Sequence, residues 1–145
     1  ETIFDENYKF RIGKGTVVKE GTDVTLFACG IMVETALKAA EILASDGINA
    51  AVVNLSTIKP LDTALIVKMA EETKAAVTCE EHTILGGLGS AVAEVLVENC
   101  PIPMERVGVE DKFGQSGLPD ELLKAYGLTA EKIAGKAKAA IARKA

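Results

Sequence analysis

The residues best suited to chemistry lie in two neighbouring stretches, Glu80-Glu81-His82 and the glycine-rich run that follows them. Adjacent carboxylates raise the pKa of an imidazole and orient its ring, and His82 is the only histidine in the chain. The glycine-rich run leads into a predicted helix, whose first backbone N–H groups can receive an anion. It contains Gly86, Gly87, Gly89 and Ser90. These residues are our candidates for an interface or an anion site.

Both stretches also have a structural interpretation. The run GGLGS matches neither the GxGxxG pattern nor a Walker loop, so its glycines can equally serve a tight turn with the helix pressed onto the sheet. A lone histidine beside two glutamates is more often a hydrogen-bonded structural or interface residue than a general base, and no Ser or Cys nucleophile is visibly paired with it. We therefore assign no catalytic, cofactor-binding or metal-ligating residue.

A second loop follows the last predicted strand and begins at Asp111. The stretch from Asp111 to Gly117 is typical of a turn with a side chain that caps a helix. In open parallel sheets the ligand crevice lies beyond the carboxyl ends of the strands, so Asp111 joins the candidate set.

The cysteines argue against a metal site and for a reducing compartment. Cys29, Cys79 and Cys100 are odd in number, show no CxxC spacing and are scattered along the chain. We expect a cytoplasmic protein. The chain opens at Glu1 with no methionine and no signal-like segment, so we interpret it as a piece of something longer.

The composition of the chain limits the kinds of partner that it can bind. The chain has 145 residues, 48% of them hydrophobic, which is enough for one domain with its own core. A net charge of -5 and a pI near 5.0 argue against a nucleic-acid partner. No apolar run approaches the roughly 18 residues of a membrane helix, so we expect no membrane partner.

Strand and helix patterns alternate along most of the chain and must position these residues. This alternation predicts a three-layer α/β/α domain, with a mostly parallel sheet of about five strands and one antiparallel edge strand. The predicted strands cover residues 16–19 (the antiparallel edge), 23–29, 49–54, 75–80 and 104–109. The predicted helices run from 30 to about 46, from Pro60 to about 73, from 90 to 99, over 121–126, and from an N-cap at Thr129 onward.

We expect residues 1–14, with their alternating aromatic side chains, to be an interdomain linker and residues 15–145 to form the domain. The third predicted helix, residues 90–99, is nearly all apolar, so we expect it to be deeply covered. The predicted core residues are Val24, Leu26, Val52, Val53, Val77 and Val107 in strands, and Leu37, Leu96 and Ile133 in helices.

Three stretches of the chain carry a family resemblance. They are IGKGTVVKEGTDVTLFACGIMVETALKAAEIL, LSTIKPLD with VTCEEHTILGGLGSAVAEVL, and VGVEDKFGQSGLPDELLKAYGLTAEKI. In them the chain resembles the C-terminal domain of the transketolase family, most closely the C-terminal part of a transketolase encoded as two subunits. Related domains occur in deoxyxylulose phosphate synthase and in the β subunits of 2-oxoacid dehydrogenases, but EEH, GGLGSAVAE and DKFGQSG fit transketolase better.

The resemblance implies an enzyme of the pentose phosphate pathway that uses thiamine diphosphate and Mg²⁺ to move a two-carbon ketol unit between sugar phosphates. In that family other domains hold the cofactor, and their GDG…N diphosphate motif is absent here. We therefore expect no cofactor in this chain, no activity of the chain alone, and a noncatalytic structural or docking role.

The expected partners are the remaining domains or an N-terminal subunit, with a homodimer possible. The alternatives are an independent flavodoxin-like module that binds phosphate or a nucleotide, and the C-terminal domain of a 2-oxoacid dehydrogenase E1 β subunit.

Overall fold

The computed structural model describes residues 13–56, 60–83, 87–109 and 128–145. Its strands are β1 (Thr16–Lys19), β2 (Val24–Ala28), β3 (Ala50–Asn54), β4 (Ala76–Thr83) and β5 (Met104–Val109). Its helices are α1 (Met32–Ser45), α2 (Thr63–Thr73), α3 (Leu88–Asn99) and α4 (Ala130–Ala142). The expected linker up to residue 12 and the short helix predicted over 121–126 lie outside the described residues.

The strands form one sheet in the order β1-β3-β2-β4-β5. β1 pairs with β3 in the antiparallel direction, and every other pairing is parallel. Helices α1 and α4 pack on one face of the sheet, while α2 and α3 pack on the other. The predicted fold class, including the antiparallel edge strand at 16–19, is confirmed.

Each face of the sheet has its own hydrophobic core, because successive residues of a strand point to opposite faces. In β2, Leu26 packs under α1 and α4, whereas Phe27 packs under α2 and α3. All of the predicted core residues are buried except Leu37, which is only partly buried. Many of the side chains at the first face are alanines, which let the helices lie close to the strands.

Helix α2 begins three residues later than its sequence suggests. Pro60 precedes the helix instead of starting it, and the Asp62 side chain caps the helix by accepting the N–H of Leu65 at 3.2 Å. The second carboxylate oxygen of Asp62 accepts the N–H of Gly15 at 2.8 Å. One side chain therefore starts α2 and fixes the segment that leads into β1.

Helix α3 is less deeply covered than we predicted. Its buried residues lie on one side only, and Val97 on the other side is 72% exposed. The helix also begins at Leu88, so the last residues of the predicted glycine-rich loop form its first turn. The prediction of a deeply covered helix is wrong for this exposed side, because an apolar sequence does not by itself show how many sides of a helix are packed against neighbours.

Helix α4 begins as predicted. The Thr129 hydroxyl accepts the N–H of Lys132 at 3.2 Å, and Leu128 before it is buried. The helix is basic, and two of its lysines meet acids of neighbouring elements. Lys138 lies 2.7 Å from Asp46, and Lys136 lies 3.4 Å from Glu105. Part of the basic charge of α4 is therefore paired with acidic residues of the same domain.

The orientation of helix α1 against the core gives a first testable prediction. Leu43 is fully buried, so Leu43→Ala should lower the free energy of unfolding by about 2 to 5 kcal/mol. Leu37 only borders the same core, so Leu37→Ala should cost less than half as much. Urea unfolding followed by circular dichroism measures both variants. Equal losses for the two leucines would contradict this orientation of the helix.

Candidate functional site

The carboxyl end of β4 places Glu80 in the interior. Glu80 is 2% exposed and is the one buried acidic residue among those that the structure describes. One carboxylate oxygen accepts the N–H of Leu88 at 2.9 Å, and the other accepts the N–H of Gly89 at 2.7 Å. Glu80 therefore binds the first turn of α3 with both of its oxygens.

Local sequence explains why a distant carboxylate takes this position. The residue before α3 is Gly87, which has an extended backbone and no side chain to cap the helix. In β4, Glu80 lies on the same face as Ala76, the face against which α3 packs, while Glu81 is exposed. A negative charge at a helix N-terminus is favourable, because the first amides have no partner within the helix.

Gly89 sits where α3 approaches the sheet most closely. A Cβ at this position would lie 2.9 Å from the hydroxyl oxygen of Thr78 and 2.9 Å from Cδ of Arg106. Thr78 and Arg106 are paired residues of β4 and β5. The structural interpretation of this glycine, a helix pressed onto the sheet, is thus supported. The Thr78 hydroxyl is buried without a hydrogen-bond partner, a feature that the sequence did not suggest.

The end of β2 lies beside the two glutamates. Gly30 has a φ of 61°, and a Cβ there would come within 3.4 Å of a Glu81 carboxylate oxygen. Burial, together with the negative charges of Glu80 and Glu81, raises the pKa of the neighbouring Cys29 thiol to about 11. Burial also raises the pKa of Cys79. Both thiols are therefore protonated at neutral pH and are poor nucleophiles.

The raised pKa of the Cys29 thiol gives a second testable prediction. At pH 8 the Cys29 thiol of the folded chain should react with iodoacetamide on the order of a hundredfold more slowly than the same thiol in urea. The rate should rise steadily as the pH approaches 11, because only the thiolate reacts and its fraction grows with pH. Peptide mapping by mass spectrometry resolves the three cysteines. Fast labelling of Cys29 in the folded chain at pH 8 would contradict the assignment.

The structure brings together five of the eight candidate residues. Glu80 and Glu81 lie in the second half of β4, Gly87 directly precedes α3, and Gly89 and Ser90 belong to its first turn. His82 belongs to the strand, but its side chain lies outside the described residues, as do Gly86 and Asp111. Two of the α3 amides that we considered for a bound anion are hydrogen-bonded to Glu80, so the chain supplies that anion itself. The interface role of this cluster stays a prediction.

Among the described residues, no three His, Cys, Asp or Glu side chains are grouped so that they could hold a metal ion. Over the same residues, no helix is long and apolar enough to cross a membrane.

Comparison with protein-family models identifies the class of protein that has this fold. The family model for the transketolase C-terminal domain matches residues 13–133. This chain therefore belongs to the transketolase C-terminal domain family, as its sequence motifs predicted.

Particular relatives agree with this assignment. The chain is 52% identical over 131 residues to the 6-deoxy-6-sulfo-D-fructose transketolase subunit SqwH of a Clostridium species, covering 90% of this chain and 41% of that protein. It is 47% identical over 131 residues to a putative transketolase C-terminal section of Methanocaldococcus jannaschii, covering 90% of this chain and 40% of that protein. The chain thus spans about two fifths of these relatives.

A solved structure is also similar over the whole chain. It is a chain of the "Split gene transketolase, inactive beta4 tetramer", with a TM-score of 0.97 and 49% identity. The match covers 100% of this chain and 48% of that one. At this identity the likeness extends from the fold to the family.

Proposed function

We propose that this chain is the noncatalytic C-terminal domain of a split transketolase, and that it acts by docking to the parts of the enzyme that carry out the reaction. The observation that carries the proposal is the family match over residues 13–133, together with similarity to transketolase subunits and sections. The site geometry agrees with a structural role, because Glu80 binds the start of its own helix α3.

The proposed reaction of the whole enzyme is transfer of a two-carbon ketol unit between sugar phosphates, with thiamine diphosphate and Mg²⁺. Among the described residues, no cluster of side chains could hold a metal ion. We therefore assign cofactor binding to other domains. One relative is named for a sulfo-sugar, so placement in the pentose phosphate pathway and the choice of sugar remain proposals.

The proposed partner is an N-terminal section that carries the cofactor-binding domains. Self-association of this chain is also proposed, because the similar solved chain belongs to a four-subunit assembly. We propose a cytoplasmic location, which agrees with three cysteines that are all free.

Reconstitution tests the function. The purified chain should show no ketol transfer alone with thiamine diphosphate and Mg²⁺. It should restore transfer when mixed with the N-terminal section encoded in the same genome, whose activity alone serves as the control. Transfer by this chain alone, or a mixture no more active than the N-terminal section, would contradict the proposal.

His82 makes a third prediction about the same enzyme. If it serves the fold or an interface, His82→Ala should leave the single-turnover rate of the reconstituted enzyme within about tenfold of wild type, while weakening assembly or stability. Removing a general acid or base costs about 100-fold to 10,000-fold. A loss of that size with assembly intact would make this domain catalytic.

A further inference from the structure

We draw no further inference here: the strongest candidate, the apolar groove between the second half of α3 and the end of α4, carries none because nothing in the described part of the chain shows what covers it, and Arg143, its one charged lining residue, already bonds Glu105.

Discussion

Replacing Glu80 with alanine should lower the free energy of unfolding by about 2 to 4 kcal/mol. The substitution removes two charge-assisted hydrogen bonds, to the amides of Leu88 and Gly89, and leaves both amides buried without a partner. It also removes a negative charge from the N-terminus of α3, where that charge is favourable. Urea unfolding monitored by circular dichroism measures the loss.

Two further variants separate the hydrogen bonds from the effects of charge and position. Glu80→Gln keeps the shape of the side chain but turns an NH₂ toward one of the two amides, so it should cost about 1 to 3 kcal/mol. Glu81→Ala removes the adjacent, exposed glutamate and should change stability by no more than about 0.5 kcal/mol. A loss for Glu80→Ala no larger than that for Glu81→Ala would mean that α3 does not depend on this carboxylate.

The same residue shows where prediction from sequence succeeds and where it ends. The end of α1 near residue 46, the Thr129 cap and the strands, apart from the last three residues of β4, follow from signals confined to a few neighbouring residues, and they were predicted. Glu80 caps a helix that begins eight residues later, and Asp62 bonds Gly15 across 47 residues. Such contacts depend on how distant elements pack, which local patterns do not contain.

The predictions that were partly wrong also depended on how distant elements pack. Apolar periodicity predicted a buried side for α1, and the nearly all-apolar sequence of α3 predicted a deeply covered helix, but neither pattern identified which residues face the sheet. Leu37 consequently borders the core and Val97 points away from it. The described members of the candidate cluster lie toward the carboxyl end of β4 and at the start of α3. Its use of Glu80 to bind the chain's own helix was not foreseen, because an acid beside a glycine-rich run does not reveal which amides it will meet.

The second large effect concerns Gly21, in the turn between β1 and β2. A Cβ on Gly21 would lie 2.2 Å from the carbonyl carbon of Ala50 and 2.3 Å from the amide nitrogen of Ala51. Both atoms belong to the backbone of β3, so no side-chain rotation can relieve the clash. The need for glycine here is therefore the close approach of two backbone segments.

The surrounding hydrogen bonds hold this turn in place. The N–H groups of Thr22 and Asp23 both donate to the Asn49 carbonyl, at 3.1 and 2.8 Å. The Asp23 carboxylate accepts the Asn49 N–H at 2.6 Å. To accommodate a methyl group the turn would have to move away from β3, which would stretch or break these bonds at the point where β2 begins its pairing with β3.

Gly21→Ala should therefore lower the free energy of unfolding by about 3 kcal/mol or more, at the upper end of overpacking effects. Gly135→Ala is the matched control, because Gly135 lies within α4 and a Cβ there would contact nothing within 4 Å. That variant should gain about 0.5 to 1 kcal/mol, since alanine favours the helix. Urea unfolding compares the two, and a Gly21→Ala variant that fails to fold counts as the expected loss. A loss below about 1 kcal/mol would show that the turn can separate from β3 with little strain.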